Sequence, residues 1–354
     1  MIFHVVSLPH TQTTREYSSC AYTQKVVGFC RMMQERGHVV FLYSGEHNEA
    51  ACHEHVTCIT EEERAASLAG AHYTKGGFDP RSLYWRAFNG SVIAEVARRT
   101  QPRDFICLIG GHAQRPVADA FPGLQSVEFG VGYGGWFSRY RVFESHAWRH
   151  ACYGARAPGG DASAVDGEWF DDVIPGYLDP ADFPLRTEPD DYFLYVGRMI
   201  ERKGYRIAQD VCQHLGVRLL LAGPERDPGG YGEYVGVVGP EDRARLMGGA
   251  RALFAPTLYL EPFGNVVVEA QACGTPAITS NWGAFTETVE HGRTGFRCRT
   301  LREFVDAAIA ATSLDRDYIH RRAVSLYSLD AVGAQYEAYF ERLLTLWGDG
   351  WRQM

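Results

Sequence analysis

The sequence predicts an α/β protein made of two doubly wound, Rossmann-like domains. Three observations support this class. Short apolar runs alternate with amphipathic segments of helical spacing, this alternation restarts near Asp190, and 354 residues are too many for one ordinary core. The stretch from Pro175 to Pro189 contains four prolines, which is typical of a linker or hinge. We therefore predict a first domain at residues 1–175, a hinge at 176–189, a second domain at 190–331 and a C-terminal helix at 332–354.

Hydrophobic periodicity predicts the elements of each domain. In the first domain we expect strands at residues 3–8, 39–43 and 105–109, and helices at 18–36 and 83–99. In the second we expect strands at 192–196, 217–222, 252–255 and 276–278, and helices at 203–215 and 264–273. The last amphipathic segment, 332–347, either closes the second domain or crosses back onto the first. Two such domains facing each other would bind ligands in a cleft at the carboxyl ends of their strands.

Composition limits the classes of protein to consider. The net charge of −8 gives the whole molecule no attraction for nucleic acid, although a local basic groove stays open as an alternative. No run of about 18 apolar residues predicts a membrane span, and the N-terminus lacks the pattern of a signal peptide. The nine scattered cysteines favour a reducing compartment. We expect a cytoplasmic protein without stable membrane insertion, in an oligomeric state that the sequence leaves open.

The first candidate site follows the strand at 192–196, in the segment 197–204. Here Arg198 and Lys203 flank the predicted strand-to-helix turn. The free N–H groups and the dipole at a helix N-terminus already favour an anion, and two cations add to that preference. The alternative is an ordinary solvated basic turn. The pair at this position favours a diphosphate-binding role.

The second candidate site is the loop that enters the predicted helix at 264–273. The backbone N–H groups of Phe263, Gly264, Asn265 and Val266 are expected to cradle an anion or sugar hydroxyls. The carboxylates on either side suit vicinal diols, since each accepts two hydrogen bonds. They are Glu261, expected to bind the transferred sugar, and Glu269, expected to bind a ribose.

These motifs together resemble the donor-binding domain of the retaining glycosyltransferases of family four. The resemblance covers residues 192–299 and extends from the Glu-x7-Glu string through Gly274-Thr275-Pro276 to Gly295. It implies a GT-B fold, a nucleotide-diphosphate sugar as donor, and no cofactor or metal ion. It also implies that Arg198 and Lys203 contact the diphosphate and that the backbone near Val238 contacts the base. Members usually have Gly-Gly and then Pro-Glu where this chain has Gly283-Ala284 and then Thr286-Glu287.

The first domain resembles the family more loosely. Many members carry a Gly-Gly loop after the first strand, whereas the matching residues 9–15 of this chain contain no glycine. The histidine that members place beside the donor sugar is best matched by His112, and a locally bonded loop histidine is the alternative. We expect the acceptor near the residues His10, Arg15, Arg115 and Trp136. The stretch 128–145 looks like phage and giant-virus enzymes, which makes a hydroxymethylated DNA base a candidate acceptor beside a glycan.

Three motifs imitate other sites. Residues 52–58 hold two cysteines and two histidines, which we interpret as a surface loop with incidental thiols rather than a metal site. Residues 130–135 satisfy GxGxxG, but no helical pattern follows, so we do not predict a dinucleotide site. Residues 315–317 read Asp-Arg-Asp between helical segments, where helix capping or a surface role explains them better than a metal.

The resulting hypothesis is a glycosyltransferase that retains the anomeric configuration. His112, Arg198, Lys203 and Glu261 are the expected catalytic residues, with two cations in place of a metal ion. The rival from another class is a non-catalytic nucleotide-sugar-binding module, which would bind donor without releasing nucleoside diphosphate. An epimerase of the same fold would not need the Glu-x7-Glu string, and a phosphorylase should carry a lysine for pyridoxal phosphate in a much longer chain.

Overall fold

The computed structural model describes residues 1–346 except 225, 226 and 228. The chain divides into two compact units. The first comprises Met1–Glu144, Ala151–Pro175 and residues 332–346, and the second comprises Ser145–His150 and Gly176–Ala331. Residues 347–354 of the predicted C-terminal helix lie outside the described residues.

The first unit contains a seven-stranded parallel sheet. Its strands are β1 (Ile2–Val6), β2 (Val39–Gly45), β3 (Glu54–Ile59), β4 (Phe105–Leu108), β5 (Gln125–Val131), β6 (Tyr140–Phe143) and β7 (Asp172–Val173). Their order across the sheet is β3-β2-β1-β4-β5-β6-β7, and every neighbouring pair is parallel. The order reverses direction beside β1, at the point where doubly wound sheets bind ligands.

Among the described residues, five helices belong wholly or mostly to this unit: α1 (Ala21–Glu35), α2 (Glu61–Leu68), α3 (Leu83–Arg99), α4 (Arg115–Ala120) and α12 (Leu329–Leu344). Helix α5 (His146–Gly154) has its first five residues in the second unit and its last four in the first. The apolar face of α12 is buried in the first unit. The ring of Phe340 lies 4.7 Å from that of Phe3 and 4.8 Å from that of Phe105, measured between ring centres. Of the two placements open for this helix, the structure shows the one on the first unit.

The second unit contains a six-stranded parallel sheet. Its strands are β8 (Phe193–Val196), β9 (Leu219–Ala222), β10 (Glu233–Gly236), β11 (Leu253–Ala255), β12 (Ala277–Ser280) and β13 (Gly295–Cys298), in the order β10-β9-β8-β11-β12-β13. Its helices are α6 (Tyr205–Leu215), α7 (Pro240–Gly249), α8 (Asn265–Ala272), α9 (Phe285–Thr288), α10 (Leu301–Ala311) and α11 (Arg316–Tyr327).

Both faces of the second sheet are covered. Along β8, Phe193 and Tyr195 belong to one apolar cluster and Leu194 belongs to the other, as the alternation of a strand requires. The predicted fold class, doubly wound parallel α/β in both domains, is therefore confirmed. Residues 176–189 pack on this unit, since Leu178 and Phe183 are buried in its core. Their role as a hinge stays a prediction.

Several elements differ from those predicted, and two of the differences concern the candidate sites. The interpretation of 52–58 as a surface loop is wrong for its second half, because Glu54–Ile59 form β3 and His55 Nε2 hydrogen-bonds the Gly45 carbonyl oxygen at 2.9 Å. The helix predicted from residue 203 begins at Tyr205 instead. Among the described residues, no helix combines the length and the apolar character needed to cross a bilayer.

The interpretation of residues 315–317 as a helix cap is confirmed. The Asp315 side chain accepts a hydrogen bond from the Tyr318 amide at 3.0 Å and caps α11. Arg316 is largely buried and donates to the carbonyl oxygens of Arg186, Gly248 and Ala250. Arg316 therefore joins α11 to the rest of the second unit.

Candidate functional site

A short turn after β8 positions the predicted diphosphate residues. Glu201–Lys203 form one turn of 3-10 helix, and Gly204 then separates it from α6. Gly204 has φ +75°, and a Cβ there would lie 2.1 Å from the Pro256 carbonyl oxygen, so only glycine fits. This break explains why α6 starts after Lys203 and leaves that side chain on the turn.

Lys203 and Glu261 are brought into direct contact. Lys203 Nζ donates to Glu261 Oε2 at 2.7 Å, and the side chains are 21% and 13% exposed. Burial opposes the charge of Lys203, but Glu261 and Tyr259 stabilise it, so the pKa of Lys203 is raised. The ammonium group also lies 5.0 Å from the centre of the Tyr259 ring. Lys203 is therefore protonated and positively charged at the carboxyl end of the sheet.

Arg198 lies between β8 and this turn, and its surroundings differ from those of Lys203. Its side chain is exposed, and no other described residue forms an ion pair or a hydrogen bond with its guanidinium group. Its backbone is held by Tyr195, whose hydroxyl donates to the Arg198 carbonyl oxygen at 2.9 Å. An anchored backbone and an available guanidinium group suit the binding of an external anion.

The loop before α8 presents a helix N-terminus without a side-chain cap. Gly264 is the N-cap residue with φ +85°, and a Cβ there would lie 2.7 Å from the Phe285 ring. Phe263 is buried against Tyr327, so it contributes backbone rather than side chain. The half-buried residues Asn265 and Val266 begin the helix. Such a helix start favours an anion through its free N–H groups and its dipole.

Glu269, the predicted ribose ligand, lies one turn further along α8. Its Oε2 atom is 3.4 Å from Nε of Arg243 on α7, and the two side chains are 15% and 17% exposed. Arg243 was missed by the sequence analysis, because a single arginine in an amphipathic helix carries no motif. Val238, predicted beside the base, is half-buried just before α7.

In the first unit, His112 lies directly after β4. It belongs to a short 3-10 turn, Gly111–Gln114, and its side chain is exposed. Its backbone N–H donates to the Gly135 carbonyl oxygen at 2.9 Å, and its ring stacks on Phe137 with 6.0 Å between ring centres. His112 is thus held by the loop 132–138.

Glu128 organises that loop, a role that sequence reasoning did not assign. Its carboxylate accepts hydrogen bonds from the amides of Phe137 at 2.8 Å and Ser138 at 2.7 Å, and from the Tyr133 hydroxyl at 3.2 Å. Burial raises the pKa of Glu128, and the two amides oppose the rise. The GxGxxG segment is therefore part of a loop folded around a buried carboxylate, and no helix follows it.

The predicted acceptor-side residues differ in their surroundings. His10 is only 4% exposed, packs against Phe78 and Trp85, and has no hydrogen-bond partner for Nδ1 among the described residues. Burial and, to a smaller extent, the nearby charge of Arg64 lower the pKa of His10 to about 4. Arg15 and Arg115 are exposed, and Arg115 pairs with Asp119 at 3.4 Å.

Trp136 is part of the packing of the first unit. Only 4% of it is exposed, and the guanidinium groups of Arg141 and Arg156 lie 4.0 and 3.0 Å from its ring centre. These two guanidinium groups and the Phe143 ring, 6.0 Å away between ring centres, cover the indole. The role predicted for Trp136 near the acceptor stays a prediction.

The carboxylate of Glu287 is occupied by hydrogen bonds from backbone amides. Its two oxygens accept from the amides of His146 at 2.9 Å and Ala147 at 2.8 Å, at the start of α5. Ser145 adds a hydrogen bond from its hydroxyl to the Pro262 carbonyl oxygen at 2.6 Å. Glu287 thus caps a helix within the second unit, where the departure from the family pattern occurs.

Solved structures with the same fold extend over nearly the whole chain. AviGT4, a glycosyltransferase involved in avilamycin A biosynthesis, matches with a TM-score of 0.66 and 22% identity over 98% of each chain. HepE of Anabaena, solved in complex with UDP and glucose, matches with a TM-score of 0.65 and 15% identity over 96% of this chain and 99% of its own. The protein therefore has the two-domain GT-B fold of glycosyltransferases.

The family is indicated by the second unit. Residues 190–313 match the family described as glycosyl transferases group 1. Sucrose synthase of Solanum tuberosum is 32% identical over 107 residues, which are 29% of this chain and 13% of that protein. Glycogen synthase of Mycobacterium tuberculosis is 32% identical over 164 residues, 40% of this chain and 39% of its own length. The chain thus carries a group 1 glycosyltransferase domain, as the motifs predicted, and matches less than half of these relatives.

Proposed function

We propose that this protein transfers a glycosyl group from a nucleotide-diphosphate sugar to a hydroxyl acceptor, with retention of configuration and without a metal ion or other cofactor. The observation that carries the proposal is the 2.7 Å contact between Lys203 and Glu261. It joins a cation suited to phosphate and a carboxylate suited to sugar hydroxyls. The group 1 domain and the solved complex of HepE with UDP and glucose support this choice of donor.

The charges of the second unit suit the leaving group. As the bond from the anomeric carbon to phosphate breaks, negative charge grows on the diphosphate and positive charge grows on the sugar. Lys203, the available Arg198 and the N-terminus of α8 are fixed positive groups that would stabilise the diphosphate. They would take the part that a metal ion plays in other transferases.

We infer retention from the resemblance to the retaining glycosyltransferases of family four, and the pairing of Glu261 bears on the route by which it occurs. A carboxylate paired with Lys203 serves better as a hydrogen-bond acceptor for sugar hydroxyls than as a nucleophile. We therefore propose attack by the acceptor oxygen on the face that the phosphate leaves. The new carbon–oxygen bond forms there, and the departing phosphate oxygen receives the acceptor proton.

The acceptor is proposed as a class only. It carries a hydroxyl group, and a glycan or a hydroxymethylated DNA base are its candidates. Arg15 and Arg115, both exposed in the first unit, are proposed to contact such an acceptor. The exposed imidazole of His112 is proposed to contact the donor sugar.

The test is release of nucleoside diphosphate from UDP-, GDP-, ADP- and TDP-sugars, measured with EDTA and again with Mg²⁺. We expect release from one donor in both conditions, and loss of release in Lys203→Ala and Glu261→Ala. Arg206→Ala is the matched control, because Arg206 is exposed and paired with Glu201 on the same turn. NMR of the product formed with an accepted hydroxyl compound then reports the anomeric configuration.

Three results would contradict parts of the proposal. Strict dependence on Mg²⁺ would overturn metal independence, and an inverted product would overturn retention. Donor binding without release, even with acceptors that include hydroxymethylated DNA, would favour a nucleotide-sugar-binding module instead.

A further inference from the structure

We propose that Arg243 is a positioning residue that orients the Glu269 carboxylate, and thereby lets the protein distinguish a ribonucleotide from its 2′-deoxy counterpart. The inference rests on the proposed function, since it concerns the nucleotide part of the same donor. It adds a residue and a selectivity that neither the family match nor the motifs assign.

The geometry brings two helices together at this pair. Arg243 lies in the first turn of α7, where its amide donates to the Gly239 carbonyl oxygen at 2.8 Å. Glu269 projects from the middle of α8, and its Oε2 atom lies 3.4 Å from Arg243 Nε. The two charged side chains therefore join the segment predicted to contact the base, around Val238, to the residue predicted to contact the ribose.

The contact is an ion pair without a hydrogen bond. Neither Arg243 Nε nor Glu269 Oε2 has a hydrogen-bond partner among the described residues. Both atoms are buried, so each has lost water without gaining a full replacement. A bidentate arginine–carboxylate pair would use up acceptor positions, whereas this arrangement balances the charge and keeps the carboxylate able to accept.

A ribose would supply the missing donors. Its 2′ and 3′ hydroxyls form a vicinal diol that can donate two hydrogen bonds to one carboxylate. A 2′-deoxyribose offers only the 3′ hydroxyl, which leaves the second acceptor position unmatched in a largely buried place. Without Arg243, the carboxylate would lose its only ionic partner among the described residues, and would turn toward solvent.

The competing explanation is packing alone. The Arg243 guanidinium group lies 5.9 Å from the centre of the Phe183 ring, in the core of the second unit. A residue that served only to pack there would change the stability of the fold. It would not change the ratio of two affinities that differ by a single hydroxyl group.

The experiment measures that ratio by isothermal titration. The probes are UDP with 2′-deoxy-UDP and GDP with 2′-deoxy-GDP, added to the full chain. The variants are Arg243→Met, Arg243→Lys, Glu269→Gln and the double variant Arg243→Met with Glu269→Gln. Arg245→Met is the matched control, since Arg245 lies two residues away on α7 and pairs with exposed Asp242. Thermal unfolding of each variant checks the fold, and Arg243→Lys provides the comparison if Arg243→Met does not fold.

We expect the wild type to prefer the ribonucleotide about tenfold or more, as for a hydrogen bond to a charged group. The preference should fall toward one in Arg243→Met and in Glu269→Gln, with no further fall in the double variant. Arg243→Lys should restore part of it, and Arg245→Met should keep it. The inference would be overturned if folded Arg243→Met kept the wild-type preference for the ribonucleotide. If Arg243→Met does not fold, the inference would be overturned if Arg243→Lys and Glu269→Gln both kept that preference. Absence of binding by any nucleoside diphosphate to the wild type would instead overturn the proposed function, and with it this inference.

Discussion

The Lys203 ammonium group lies 2.7 Å from the Glu261 carboxylate, although 58 positions separate the two residues in the chain. They meet because β8 and β11 are parallel neighbours, so the turns that follow these strands share one edge of the sheet. Each side chain neutralises the other in a largely buried place. The two predicted donor ligands are therefore a coupled pair.

Coupling predicts that the effects of their substitutions are not additive. We expect Lys203→Met and Glu261→Gln each to lower kcat/KM for donor turnover by about 100-fold, because both act on charge that develops in one transition state. The double variant should lose much less than the product of these factors. Lys203→Met should also cost about 3 kcal/mol in the free energy of unfolding, since a buried carboxylate is left unpaired. Nucleoside-diphosphate release and urea unfolding measure the two quantities, and additive losses would contradict the coupling.

Substitution of Arg198 should affect donor binding without affecting stability, because no other described residue pairs with its guanidinium group. Arg198→Ala is expected to raise the donor KM about tenfold or more and to leave the free energy of unfolding within about 0.5 kcal/mol of the wild type. Arg206→Ala, in the first turn of α6, should change neither quantity. A large loss of stability in Arg198→Ala would show that the guanidinium group supports the fold instead.

Features set by local sequence could be predicted. Helix α3 was expected at residues 83–99 and is observed at Leu83–Arg99, because Phe88, Val92 and Val96 repeat at helical spacing and are all fully buried. Lys203 and Glu261 stood out because each lies in a glycine-bearing turn at a fixed distance from a strand.

Features set by distant contacts could not be predicted. Arg243 and Glu128 acquire their roles from residues on other elements, and neither lies in a spacing that indicates a charge partner. The short strand β3 was missed because its histidine and cysteine residues lack an apolar pattern. Trp136 was expected near the acceptor, and its packing against Arg141 and Arg156, which follow it in the chain, has no signal in the sequence pattern.

Glu287 offers a test of whether its carboxylate has a structural role. Glu287→Ala removes two hydrogen bonds to amides at the start of α5, and we expect a loss of about 1–2 kcal/mol in the free energy of unfolding. The dissociation constant for the donor nucleotide should stay within about twofold of the wild type. Chemical unfolding and titration calorimetry check these values. A donor affinity reduced tenfold, with unchanged stability, would assign Glu287 to the donor site.

Glu128 links the stability of a loop to the position of His112. In Glu128→Gln, one amide oxygen replaces a carboxylate that accepts from two backbone amides and a tyrosine hydroxyl, and the new NH₂ group faces donors. We expect a loss of about 2 kcal/mol in the free energy of unfolding. We also expect kcat/KM to fall with little change in nucleotide affinity, because His112 is proposed to contact the sugar. Glu62→Gln, at an exposed position in the first turn of α2, is the control. Unchanged kcat/KM at a reduced melting temperature would separate the loop from catalysis.

His10 predicts how stability depends on pH. Burial lowers its pKa from 6.5 to about 4, so in acid the unfolded chain binds a proton that the folded chain refuses. The contribution of His10 to stability is therefore fully present above pH 6.5 and is lost as the pH falls toward 4, at a cost of roughly 3 kcal/mol.

His10→Phe should fit the same aromatic surroundings, Phe78 and Trp85, and it has no group that takes up a proton. We expect this variant to match the wild type at pH 7.5 and to have the higher melting temperature at pH 4.5. His214→Gln, at an exposed position near the end of α6, should follow the wild type throughout. If the stability of His10→Phe instead followed that of the wild type down to pH 4.5, the folded chain would not lower the pKa of His10.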